Sequence, residues 1–180
     1  MSSNLYRKAT KFIPQSVYFV CMLSNQTKMK LINWWPPMLG TGISLKEVSS
    51  DFTRFEVVMK LRWYNKNLVG IHYGGSLYSM CDPWYMFILT ANLGKEYVVL
   101  DKAAAIRYKK PGKGTLKCTF YVSKEQIAEI KNEIDKIGKN DYTFTCLVMN
   151  EDNEIVTEVD KVVYVRKKDF DWEQLEKVED

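Results

Sequence analysis

A single histidine, His72, stands in a chain of 180 residues, so a histidine-rich metal centre is excluded from the outset. The four cysteines, Cys21, Cys81, Cys118 and Cys146, contain no CxxC pair. A Cys/His zinc site with recognisable spacing is therefore absent, and the thiols read as free cysteines of a reducing cytoplasm. No apolar run approaches the roughly 20 residues of a membrane span. Ser16 to Leu23, behind Arg7, Lys8 and Lys11, weakly imitates a secretory leader, but Pro14 interrupts it and Ser24-Asn25-Gln26 is a poor cleavage site. Charge of one sign is lacking too: 26 Lys plus Arg against 22 Asp plus Glu leave a net +4, too balanced to imply a nucleic-acid partner. There is no internal repeat and no flexible linker.

What is present fits one globular domain over residues 1–180. Hydrophobic residues make up 46% and charged residues 27%, near the average for soluble proteins. A chain of this length buries roughly 70% of the surface it exposes when unfolded.

Apolar residues at helical spacing after Pro14 predict an N-terminal helix over about 14–30. Trp34-Trp35-Pro36-Pro37-Met38-Leu39-Gly40 reads as an ordered loop plugging the core. Ile43 to Ser49 and Phe52 to Trp63 alternate apolar and polar residues around Ser49-Ser50-Asp51, which predicts a hairpin with Phe55, Val57, Met59, Leu61 and Trp63 on one face. Leu77, Met80, Cys81, Trp84, Ile88 and Ala91 then form an apolar stripe along a buried central helix over about 75–92. Tyr97 to Lys109 and Thr115 to Val122 are two more strands, joined by Lys110-Pro111-Gly112-Lys113-Gly114. Ser123 opens an amphipathic helix that ends at Gly138, and Tyr142 to Met149 and Ile155 to Val165 close the pattern as a hairpin. Residues 168–180 read as a polar tail. The order predicts an α+β protein whose antiparallel sheet wraps a central helix, the hotdog arrangement.

The chemistry concentrates in Gly70-Ile71-His72-Tyr73-Gly74-Gly75-Ser76-Leu77-Tyr78-Ser79-Met80-Cys81-Asp82-Pro83. Adjacent glycines at a helix start turn unpaired N–H groups toward an anion, a phosphate or a developing oxyanion. Asp82, the acid of an apolar helix, should be basic if removed from water, and so able to activate water or attack an acyl carbon. Asp82 before Pro83 also fits a helix cap. His72 fits equally a loop histidine with a backbone partner. Asp101 and Lys102 are candidates for an ion pair near the site. Arg107, Lys109, Lys110 and Lys113 could meet the phosphates of a CoA ligand or serve as solvated strand-end charges.

The stretch from Trp35 to about Val122 resembles an uncharacterised hotdog-fold family related to the phenylacetyl-CoA and medium-chain acyl-CoA thioesterases. The residues that carry the likeness are Arg62-Trp63-Tyr64-Asn65, Gly74-Gly75-Ser76-Leu77-Tyr78, Asp82-Pro83, Asp101-Lys102-Ala103-Ala104 and Pro111-Gly112-Lys113-Gly114. The resemblance implies that Gly74 and Gly75 offer an amide to a thioester carbonyl, that Asp82 of a partner subunit acts as base or nucleophile, and that Asn67 helps hold the carbonyl or water. The relatives carry a histidine immediately before the glycine pair; here Tyr73 stands there, with His72 one residue earlier.

The expectation is a cytoplasmic hydrolase of acyl-CoA or other acyl thioesters, needing no metal or other cofactor and acting as a homodimer or dimer of dimers. Asp82, Asn67 and His72 are its candidate catalytic residues. Tyr73, Gly74, Gly75, Ser76, Tyr78, Tyr85, Lys102, Arg107, Lys110 and Lys113 are candidates for substrate binding, with Trp34, Trp35, Tyr78 and Tyr85 lining an acyl tunnel. The alternative is a hotdog module that binds an acyl thioester or fatty acid without turnover.

Overall fold

Phe55, Val57 and Met59 alternate with polar neighbours, so their side chains share one face of a strand, and all three are fully buried. In this computed structural model, which describes residues 26–169, they belong to β2 (Arg54–Lys60), paired antiparallel with β1 (Ile43–Val48). The turn between them is held by side chains: Ser49 Oγ and Thr53 Oγ1 donate to Asp51 Oδ1 at 2.7 and 2.8 Å. Those bonds, Ser49 first, hold the Asp51 carboxyl well below the usual carboxylate range.

β3 (Tyr97–Tyr108), β4 (Thr115–Tyr121), β5 (Lys139–Met149) and β6 (Ile155–Lys167) complete a six-stranded sheet in the order β1-β2-β4-β5-β6-β3, antiparallel throughout. β1 and β3 are its edges. α3 (Gly74–Cys81) and α4 (Trp84–Leu93) follow α1 (Gln26–Met29) and α2 (Pro36–Thr41), and they pack on the inner face of the sheet. Trp84 of α4 lies 5.9 Å from Phe55 and 6.1 Å from Phe120, ring to ring, so helix and sheet share one core. α5 (Lys124–Ile137) buries Ile127, Ile130 and Ile134 and leaves Ile137 exposed. Its start is a capping box: the Ser123 hydroxyl accepts from Gln126 N–H, and the Gln126 side chain accepts from Ser123 N–H. This is the hotdog fold of the α+β class.

Three expectations need correction. The central helix is two helices, because Pro83 has no N–H to continue the ladder and its ring clashes with the preceding turn; the Asp82–Pro83 bond is cis. The Trp34–Gly40 stretch is a 3₁₀ turn (Lys30–Trp34) followed by α2, whose first positions suit Pro36 and Pro37. Trp34 and Trp35 are 75% and 49% exposed, so they do not plug the core, and Trp63 lies exposed beyond the end of β2. Of the N-terminal helix, only Gln26–Met29 falls among the described residues, and most of the tail lies outside them. Among the described residues no helix is long and apolar enough to cross a membrane.

Candidate functional site

α3 starts at Gly74 after Tyr73, whose backbone is extended. Helical bonding begins with the N–H groups of Ser76 and Leu77, which donate to Tyr73 O at 3.0 and 3.1 Å. The amides of Gly74 and Gly75 precede them and have no acceptor among the described residues, as the first turn of a helix requires. Close packing explains the glycines. A Cβ on Gly75 would sit 2.4 Å from the Tyr73 ring, and one on Gly74 would sit 3.1 Å from Tyr108 Oη. Tyr108 Oη donates to Gly74 O at 3.1 Å, tying the helix start to β3.

A cleft of about 560 Å³ opens here. Asn67, His72, Tyr73, Gly74, Gly75 and Tyr108 line it, with Lys109, Lys110 and Gly112 along one wall. Asn67 Oδ1 already accepts from Val69 N–H and Ile71 N–H, both at 3.1 Å, which leaves its amide nitrogen as the group able to serve a ligand. His72 is buried, and its Nε2 lies 3.1 Å from Gly114 O while its N–H donates to Gly112 O at 2.9 Å, so it pins the Pro111–Gly114 turn. Burial holds its ring below the usual histidine range.

Asp82 stands at the other end of α3, outside the lining of that cleft. Its carboxylate makes no capping bond; Oδ1 accepts from Lys161 Nζ at 2.6 Å. The Asp82 side chain is 44% exposed, so the expected withdrawal from water is not met within one chain. Lys161 is 1% exposed and pairs also with Asp101 Oδ1 at 3.2 Å, with the Tyr78 ring 5.3 Å from its Nζ. Burial would depress its ammonium, but Asp82 and Asp101 together raise it above the usual lysine range. The carboxyl that burial pushes up, to about 6, is that of Asp101, partly countered by Lys161 and reinforced by Asp82.

The structure distributes the remaining candidates. Ser76 is buried beside the glycines, and Tyr78 is at the Lys161 cluster. Tyr85 belongs to the core instead of a tunnel: it stacks on Phe144 at 4.7 Å and donates to Thr145 O at 2.9 Å. Trp34 and Trp35 are exposed and enclose no tunnel within one chain. Asp101 and Lys102 do not pair with each other, because a bulge at Lys102 turns it toward Asp141. Arg107 is held by Glu158 and Asp160, and Lys110 pairs with Glu154 at 2.6 Å. Lys113 lines a separate, partly acidic cleft with Glu151 and Asp152.

Lys161 was not among the candidates, yet the sequence carried its signal. It occupies the inward row of β6, Val159-Lys161-Val163-Val165, a charge where alternation calls for an apolar side chain. Cys81, next to Asp82, also meets Cys118 and Cys146 below the helix break, all three buried and unbridged.

No curated protein matches the chain. Among solved structures, a protein of unknown function and probable thioesterase from Pseudomonas aeruginosa is 18% identical and superposes with a TM-score of 0.72 over 79% of this chain and 97% of its own. A thioesterase from Haemophilus influenzae is 10% identical, TM-score 0.60, over 82% and 94%. A putative thioesterase from Shewanella oneidensis is 14% identical, TM-score 0.58, over 76% and 92%. At these identities the likeness establishes the fold. The sequence model of a family described as a domain of unknown function, DUF4442, matches residues 24–165, a span that holds the glycine start, the helix break and all of the sheet but the last two residues of β6, and the chain belongs to that family.

Proposed function

We propose that the protein is a thioester hydrolase acting on acyl-CoA or acyl-carrier substrates as a homodimer or dimer of dimers. The observation that carries this reading is the pair of unpartnered amides of Gly74 and Gly75 at the wall of a cleft flanked by Lys109 and Lys110. The thioester carbonyl oxygen accepts from those amides, which stabilise the negative charge it gains as its carbon is attacked, an effect of about 3 kcal/mol for one such donor. Asp82 either takes a proton from a water that attacks the carbon or attacks the carbon itself to form a mixed anhydride that water then hydrolyses, restoring the carboxylate; in both routes the C–S bond breaks and the departing thiolate is protonated by solvent. Lys109 and Lys110, about half exposed and paired with Glu158 and Glu154, are the side chains that would exchange those partners for CoA phosphates.

Distance supports the dimer. Gly75 and Asp82 are seven residues apart on one helix, roughly 10 Å along its axis at 1.5 Å per residue, too far for one reacting carbonyl to meet both. A second copy that brings its own Asp82 to this cleft would supply the acid. The edge strand β3 exposes Ala103, Ala104 and Ala105, small side chains that favour edge-to-edge pairing with a twin. The names of the Pseudomonas, Haemophilus and Shewanella neighbours accord with this chemistry. Unbridged thiols accord with a cytoplasmic location.

Hydrolysis of a graded acyl-CoA panel tests the proposal. Turnover by the wild type that Asp82→Asn abolishes, with fold and acyl-CoA affinity retained, supports it. Binding without turnover establishes the non-catalytic carrier instead.

A further inference from the structure

The Sγ atoms of Cys81, Cys118 and Cys146 all lie within 4.8 Å of one another, although the three residues come from the end of α3, from β4 and from β5. Register explains the meeting. Cys118 pairs with Val148, and Cys146 is two residues from Val148 on the same face, so the two thiols are diagonal neighbours beneath the helix break where Cys81 descends. We propose that this cluster is a binding site for one thiophilic closed-shell metal ion held by three sulfurs, independent of the hydrolase reading.

Sulfurs at the outer limit of that spacing sit about 2.8 Å from their common centre, so a shift of about half an ångström each reaches a metal–sulfur bond of about 2.3 Å. Soft thiolate donors select copper(I) and zinc(II) over hard ions. Zinc(II) requires a fourth donor, and no other histidine, cysteine or carboxylate among the described residues joins the cluster, so copper(I), which accepts three sulfurs, is the favoured occupant. As metal–sulfur bonds form, the thiol protons leave to solvent. The Lys161 ammonium interacts electrostatically with both Cys81 and Cys146 and offsets part of the resulting negative charge.

The test uses the full chain with Cys21→Ser, kept reduced and anaerobic, titrated with copper(I) against a chromogenic copper(I) chelator and, in a second arm, with zinc(II). One copper per chain, a thiolate-to-copper ultraviolet band, a higher Tm, and at least a 100-fold loss of copper affinity in Cys118→Ala or Cys146→Ala support the site. Tighter binding of zinc(II) than of copper(I) would overturn the choice of three-coordinate ligation. X-ray absorption on the copper-loaded Cys21→Ser chain needs no core variant: three sulfur neighbours support the proposal, whereas nitrogen or oxygen neighbours, or complete loss of copper to the chelator, overturn it.

Discussion

Lys161 Nζ stands 2.6 Å from Asp82 Oδ1 and is almost wholly buried, so the acid at the break between α3 and α4 is fixed by a cation seventy-nine residues further along the chain. The same ammonium lies 3.2 Å from Asp101. One lysine thus joins the central helix to β3 and β6.

Removing that cation leaves a largely buried Asp101 facing Asp82 with nothing between them. Lys161→Met is expected to destabilise the fold by about 2 kcal/mol, below the full cost of breaking a buried pair because Asp82 reaches solvent. Adding Asp101→Asn should restore at least half of the loss. Denaturant unfolding of the two single variants and the double variant measures this, and simple additivity would count against the coupling.

The pH dependence has a definite sign. Asp101 titrates at about 6 in the folded protein, above the 3.8 of an ordinary aspartate, so between about pH 4 and 6 the folded state holds a proton that the unfolded state has released. Its contribution to stability therefore falls as pH rises through that window. The unfolding free energy of Asp101→Asn should lack this fall, which a comparison of midpoints at pH 4, 5, 6 and 7 reads directly.

Gly75→Ala separates packing from stability. Alanine suits a helix better than glycine by up to about 1 kcal/mol, but its Cβ would meet the Tyr73 ring at 2.4 Å. The exposed ring can swing aside into the cleft. The expected result is an unchanged or raised Tm with kcat/KM for acyl-CoA lowered on the order of tenfold. Equal activity in wild type and variant would show that the cleft is not where the reaction occurs.

Ser123→Ala removes one half of the α5 capping box and should cost about 1 kcal/mol, because the Gln126 amide loses its acceptor. A thermal or urea melt measures it, and Ser123→Thr or Ser123→Asp should recover most of the loss.

Legible in the chain alone was whatever depends on neighbours a few residues apart. Alternation in Phe55-Val57-Met59 marked a half-buried strand, Ser123 with Gln126 marked a helix start, and Gly74-Gly75 marked a helix entry with open amides, since each is a local matter of pleat, cap or first turn. Asp82 before Pro83 offered a helix cap, but not the division of the central helix into two. Which distant groups meet was settled by packing. It gave Asp82 to Lys161, drew Tyr85 into the core, paired Lys102 with Asp141, and gathered three cysteines that no spacing rule connects. The reason is that strand register and burial, summed over the whole sheet, choose these partners, and a lysine in an apolar row finds its acids only once β6, β3 and α3 have packed.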